Sequence, residues 1–246
     1  MLKTDLKIVS IIPARSGSKG LPDKNIKDLG GHPLLAWSIR ASSKSKYINS
    51  TYIDTDSNKY ASIGVRYGAQ SPFLRPDYLA TDTSSDYDFI LYFLHFLSKS
   101  GELPDLLIHL RPTTPFRDPK VIDDAIEIGI DKIENITALR SVHEMAETAY
   151  KSFEFEQNEL LVSSFSKSYD LDSSNASRQL FPKTFQANGY VDILFPNKIL
   201  STEKLHGNRV LGFKTQPVIE IDTEAEFQLC EASLTIGTVV LDKVWS

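Results

Sequence analysis

A largely apolar run, Leu6 to Ile12, stops at Pro13-Ala14-Arg15, and the next ten residues, Ser16 to Asn25, hold two glycines, two serines and two lysines. Residues 6–13 therefore read as a buried strand feeding a loop of small and cationic residues. A buried strand of this kind belongs in an α/β sheet, and the loop after it lies at the sheet's carboxyl edge, where such folds bind ligands. Backbone N–H groups of its small residues can approach phosphates there, with Arg15, Lys19 and Lys24 supplying fixed positive charge. The ligand this suggests is a nucleoside triphosphate; a plain solvated connection is the competing reading. Two better-known nucleotide loops are excluded by spacing. Lys19 precedes Gly20 and no hydroxyl follows it, against the Walker pattern, and Gly17 to Gly20 supplies only the last interval of G-x-G-x-x-G.

Strand and helix signals alternate over the first two-thirds of the chain. Pro33 opens a helix to about Ser45, with Leu34, Leu35, Trp37 and Ile39 on its apolar side. Ser50–Asp54 reads as a strand, and Asp54 to Ser57 supplies caps for a helix to about Gly68. Thr83 or Ser84 caps a Phe- and Leu-rich helix to Lys99, in which His95 is expected to be packed. Asp105–Leu110 is the next strand, Asp118-Pro119 opens another helix, and Asn135–Arg140 is a further strand. This order predicts an α/β fold, a mostly parallel sheet with helices on both faces. From 143 to 185 the pattern changes to short strands (Glu147–Phe155, Leu160–Phe165) and a polar stretch, Ser166 to Gln179. It resumes with strands at Ala187–Leu194 and Val218–Ile221 and a helix from Glu224 to Ile236. One domain over 1–246 is expected, with 143–185 as an insertion.

Composition narrows the partners. A net charge of −5 disfavours nucleic acid as a partner. One cysteine, Cys230, leaves no intramolecular disulfide or Cys-rich zinc site and suits a reducing cytoplasm. No secretory signal or membrane span is expected. His32, His95, His109, His143 and His206 lack metal-ligand spacing.

Three further segments carry chemistry. Leu110 to Arg117 combines two prolines, Thr113, Thr114 and two arginines, Arg111 and Arg117, whose guanidinium forks match carboxylate or phosphate. Arg178 precedes a polar turn, Gln186-Ala187-Asn188-Gly189. In Val218 to Thr223, Glu220 and Asp222 fall on one face of the expected strand, about 7 Å apart, where hard oxygens suit Mg2+ beside phosphates. The alternative is that Asp222 caps the following helix.

Together these segments resemble the N-acylneuraminate cytidylyltransferase (CMP-sialic acid synthetase) family. The segments are the loop Ile12 to Asn25, Asp54-Thr55-Asp56, Arg75-Pro76-Asp77-Tyr78-Leu79-Ala80, Arg111 to Arg117, Arg178-Gln179 with Asn188-Gly189, and Glu220-Ile221-Asp222. They occur in the family's order over about residues 8–228. The resemblance implies a Rossmann-like sheet of nucleotidyltransferase type with a small β-rich dimerisation arm. It also implies transfer of CMP from CTP to the anomeric hydroxyl of a 2-keto-3-deoxy sugar acid, with release of pyrophosphate. On it, Arg15, Lys24 and Asp222 are catalytic. Ala14, Arg15, Ser16, Gly17, Lys24, Asn25 and Arg75 bind nucleotide, Arg75 on the cytosine side. Arg111, Thr113, Arg178, Gln186, Asn188 and Gly189 face the sugar, Asp222 and Glu220 hold Mg2+, and the chain is a homodimer. Arg111 stands where the family carries glutamine, Glu220 where it carries aspartate, and Asp192 where its strand is usually neutral. These departures point to a nonulosonic acid other than N-acetylneuraminate, such as legionaminic acid. A CMP-Kdo-type synthetase, an enzyme using another nucleotide and a non-catalytic nucleotide-sugar binding protein are the alternatives.

Overall fold

The computed structural model describes residues 5–156, 159–237 and 242–245. Its six-stranded sheet contains β1 (Ile8–Pro13), β4 (Ser50–Asp54), β5 (Leu106–His109), β6 (Ala138–Glu144), β9 (Phe185–Leu194) and β10 (Val210–Lys214), in the order β10-β6-β9-β5-β1-β4. β4, β1 and β5 run parallel, as do β6 and β10, while β9 is antiparallel to both β5 and β6. Two small ladders lie outside it: β2 (Asp28–Leu29) with β3 (His32–Pro33), and β7 (Phe153–Phe155) with β8 (Leu161–Ser163).

Side-chain alternation divides the core into two layers. Ile8, Ile12 and Ile108 face α1 (Leu34–Ser43), α2 (Asn58–Arg66) and α4 (Pro119–Asp131), packing on Leu35, Ile39, Ile63, Ile122 and Ile126. Val9, Ile11 and Leu107 face α3 (Asp86–Lys99) and α5 (Pro196–Thr202), meeting Phe89, Phe93, Leu94 and Ile199. A third cluster seats α6 (Glu224–Thr235) and α7 (Asp242–Trp245) against the N-terminal segment, through Leu21, Leu29, Leu34, Trp37, Ile221, Phe227 and Val244.

Several elements differ from the sequence reading. The cap of α3 is Ser85, which forms a reciprocal capping box with Asp88, and His95 on that helix is exposed. β6 begins three residues later than expected and extends to Glu144. Only Phe153–Phe155 of 147–155 is strand. Residues 218–221 join no sheet; Ile221 N–H instead donates to Thr113 O at 2.8 Å. The edge strand beside β6 is β10, upstream of that segment.

Strand order sets the binding crevice. From β1 the chain passes to β4 on one side and later returns to β5 on the other, so the loops after β1 and β5 diverge at a topological switch point.

Candidate active site

A cavity of about 560 Å³ opens at this switch point. Its wall joins residues from four distant segments: Arg15, Lys24 and Asn25 after β1, Arg75 after β4, Arg111 and Thr113 after β5, and Asp222 before α6. Five cations line it (Arg15, Lys19, Lys24, Arg75, Arg111) against three carboxylates (Asp82, Asp86, Asp222), a surplus that suits a polyanion.

Each side chain is fixed by its local chain. Asn25 Nδ2 donates to Arg15 O at 3.0 Å, closing the loop on itself. Lys24 Nζ donates to Ile221 O and Asp222 Oδ1, both at 2.7 Å, tying the first loop to the segment before α6. Gly20 sits between them; a Cβ there would lie 2.5 Å from the carbonyl oxygen of Asp222, so only glycine permits this approach. Arg15 pairs with Asp82 at 2.9 Å, and Lys19 pairs with the same carboxylate. These hydrogen-bonded cations hold the Asp82 carboxyl below its usual range. Arg75 is buried on Asp54, with its guanidinium 4.2 Å from the Phe89 ring centroid.

The loop after β5 is held from below by Arg117. This buried guanidinium donates to the carbonyls of Arg111 (2.6 Å), Gly189 (2.7 Å) and Tyr190 (2.5 Å). It also donates to Thr114 O and to Ser38 Oγ. Burial pushes its pKa down to about 9. Arg117 is thus a scaffold residue, whereas the sequence reading counted it with Arg111 as a ligand fork. Thr113 Oγ1 donates to Glu220 at 3.3 Å. Gly189, at φ +63°, brings β9 close to Arg111, Thr114 and Glu220.

The other residues singled out from sequence lie off the cavity wall. Ala14 N–H donates to Asp54 O at 2.9 Å. Ser16 gives its N–H to Asp56 Oδ1 at 2.7 Å and its hydroxyl to the same carboxylate, so these donors are already committed. Asn188 is buried, its amide donating to Thr215 at 2.7 Å. Gln186 is exposed, opposite His143 in the β6–β9 ladder. Arg178 reaches Met145 O at 3.1 Å and Glu144 at 3.4 Å, outside the cavity. Asp222 is not the helix cap; Thr223 caps α6 in a box with Glu226. Sequence reasoning missed Asp82, Asp86 and Phe89 as wall residues. The Ser85-x-x-Asp88 pattern carried the signal for the last two, since it fixes the first turn of α3.

Among the described residues no group of three or more His, Cys, Asp or Glu is placed to hold a metal ion. Asp222, with 68% of its side chain exposed, and Glu220 offer hard oxygens near the cavity. Such a donor set fits a Mg2+ held mainly through substrate phosphates rather than in a protein cage.

An α/β sheet with a cationic crevice at its switch point defines a nucleotide-binding class of protein. The family model described as cytidylyltransferase matches residues 9–211, and the chain belongs to that family. It is 31% identical over 232 residues to an N-acylneuraminate cytidylyltransferase of Escherichia coli, covering 91% of this chain and 51% of that protein. It is 41% identical over 123 residues to a CMP-N,N'-diacetyllegionaminic acid synthase of Legionella pneumophila, covering 50% of this chain and 53% of that one. The chain thus spans about half the length of these relatives. In fold it is similar to a CMP:2-keto-3-deoxy-manno-octonic acid synthetase complexed with CTP, with TM-score 0.68, 16% identity, and coverage of 94% and 99% of the two chains.

Proposed function

We propose that this chain transfers CMP from CTP to the anomeric hydroxyl of a 2-keto-3-deoxy sugar acid of the nonulosonic class. The observation that carries the reading is the cavity itself: Arg15, Lys24, Arg75, Arg111 and Asp222 converge on it in a chain of the cytidylyltransferase family. The relatives named for N-acylneuraminate and for diacetyllegionaminic acid support the choice of acceptor.

In this reading the triphosphate lies along Arg15, Lys19 and Lys24, and the base lies toward Arg75 and Phe89. The hydroxyl oxygen attacks the α-phosphorus, forming a C–O–P link while the α–β anhydride breaks. The hydroxyl loses its proton, and pyrophosphate leaves with the anhydride electrons. Little covalent help is needed, so cations aimed at the developing charge supply most of the acceleration. Asp222 and Glu220 would hold Mg2+, which when bound neutralises phosphate charge. Asp222 also fixes the ammonium of Lys24 through its 2.7 Å contact.

A homodimer completes the reading. Residues 143–185 expose Phe153, Phe155, Leu161, Phe165, Tyr169 and Leu180, a concentration of apolar side chains of the kind that marks an interaction surface. A second copy covering it would carry Arg178 and Gln186 toward the sugar side of its neighbour's cavity. Cys230, free and buried, suits a cytoplasmic setting, and no helix among the described residues is long and apolar enough to cross a membrane.

The test is pyrophosphate release with Mg2+ and CTP, GTP, UTP or ATP, each offered with N-acetylneuraminate, legionaminate, pseudaminate and Kdo. Release with CTP and a nine-carbon acid is expected. Release with another nucleotide, with Kdo alone, or with none of them would overturn the reading.

A further inference from the structure

Asp192 is an anomaly in its strand. It is fully buried near the C-terminal end of β9, between Val191 and Ile193, which are equally buried. An isolated carboxylate there would be costly, and burial alone would raise its pKa. Instead its carboxyl lies below the ordinary range, because the adjoining His206 and the charges of Arg111 and Arg140 more than reverse the effect of burial.

Its neighbours come from every side. In the ladders Asp192 stands opposite His109 of β5 and Arg140 of β6. Arg111 Nη1 donates to Asp192 Oδ2 at 2.9 Å, Arg140 Nε lies 3.7 Å from Oδ1, and His206 Nε2 and His109 Nδ1 lie 3.8 and 3.9 Å from Oδ2. Arg111 is gripped from its other amino group too, with Nη2 donating to Asp86 Oδ2 at 2.6 Å. Asp86 is the first residue of α3, so the two anchors come from separate elements. Arg111 and Asp86 line the cavity, whereas Asp192 stands behind Arg111 and touches the cavity only through it.

The guanidinium and carboxylate charges at this corner match one for one. Burial pushes the His109 pKa down to about 3, leaving a neutral imidazole at pH 7. Two carboxylates, Asp86 and Asp192, then face two guanidinium groups, Arg111 and Arg140. The phosphate side differs, since Arg15 and Lys19 share the single carboxylate of Asp82. A substrate carboxylate or phosphate gains little from a cation already matched by two carboxylates. A guanidinium has five N–H donors, two of which are engaged here by carboxylates. What Arg111 offers is a rigid set of oriented donors without surplus charge.

We infer that Asp192, together with Asp86, positions Arg111 as a charge-compensated donor that reads an uncharged acceptor on the keto acid, a hydroxyl or an amide carbonyl. Asp192 is therefore a specificity-determining positioning residue, remote from the substrate itself. This rests on the cytidylyl-transfer reading above. It replaces the simpler expectation that Arg111 adds a free cation for the sugar's carboxylate.

The experiment measures kcat and KM for CTP and for each of the four acids in wild type, Asp192→Asn, Arg111→Gln and the double variant, with CTP affinity by calorimetry. Asp192→Asn keeps the shape and removes the charge. It should raise KM for the preferred acid about tenfold and shift the kcat/KM ratio between acids by a similar factor, with CTP affinity within about twofold of wild type. Arg111→Gln alone strands the buried Asp192 carboxylate, so the double variant should melt higher than Arg111→Gln and share its acid profile. If Asp192→Asn does not fold, Arg111→Lys carries the same test, because it keeps the charge and loses the fork. A uniform loss across all acids, or a matching loss of CTP affinity, would make Asp192 merely structural and overturn the inference. An active wild type with unmoved acid ratios in the variant overturns it alone. A wild type inactive with every acid overturns the transfer reading and this inference with it.

Discussion

Asp82 occupies ground that the proposed triphosphate would need. Its carboxylate bridges Arg15 and Lys19 at the cavity wall, so on the proposed reading CTP would displace it or share the cations. Asp82→Asn should therefore tighten CTP binding by about threefold, a small effect in keeping with exposed ion pairs. Calorimetric titration with CTP checks this; weaker binding would mean that Asp82 contacts the nucleotide instead. Gly20 makes the opposite kind of prediction. With a Cβ 2.5 Å from Asp222 O, Gly20→Ala must push the first loop away from Asp222 and disturb the Lys24 contact. CTP affinity should fall by about tenfold or more, following the usual cost of overpacking; an unchanged affinity would show that the loop yields freely. Arg15, Lys19 and Lys24 were legible in the sequence because small and charged residues cluster after β1, and Arg75 and Arg111 through the segments that resemble the family. The partners of those cations were not, since Asp82, Asp86 and Asp222 reach them only through tertiary folding.

At the scale of elements, Arg117 links the loop after β5 to β9. Its five hydrogen bonds, four of them to the carbonyls of Arg111, Thr114, Gly189 and Tyr190, hold the loop after β5 in place. Arg117→Met should leave buried carbonyls unsatisfied and lower unfolding free energy by about 3 kcal/mol, read by urea denaturation; a loss below about 1 kcal/mol would contradict this role. From sequence, Arg117 and Arg111 looked equivalent, because nothing local distinguishes a guanidinium that faces the cavity from one that caps carbonyls beneath it. The same limit explains the segment before α6. Val218 to Ile221 has strand-like alternation, yet its backbone is held by Thr113 O and Lys24 Nζ instead of a neighbouring strand. Caps and strands early in the chain were readable from local signals: Ser57 and Asp118 cap α2 and α4 as their side chains suggest. The reversed direction of β9 depends on which strands it pairs with, and periodicity carries no such information.

For the whole molecule, the buried corner around Asp192 couples stability to pH. His109 has a pKa of about 3 in the folded chain and about 6.5 when unfolded. Between these values the unfolded chain binds a proton that the folded one excludes, so stability falls as pH drops through that window. Thermal midpoints should decline from pH 7 toward pH 4, and His109→Leu should flatten the slope by about one proton's worth; an unchanged slope would place the titration elsewhere. Asp192, with its depressed carboxyl, adds to the loss only at lower pH, below its unfolded value. The exposed apolar arm makes the other molecular prediction. Sedimentation should give a dimer at micromolar concentration, and Phe155→Asp with Phe165→Asp a monomer of lower activity. A monomeric wild type would remove the arm from the account.

Cytidylyl transfer itself is tested most directly by mass spectrometry of the products formed from CTP, Mg2+ and a nonulosonic acid. The account predicts a CMP–acid adduct in one-to-one ratio with pyrophosphate, formed by wild type and lost in Asp222→Ala, in which Lys24 loses one of its two 2.7 Å partners. Pyrophosphate accompanied by free CMP, or an adduct formed equally well by Asp222→Ala, would contradict it.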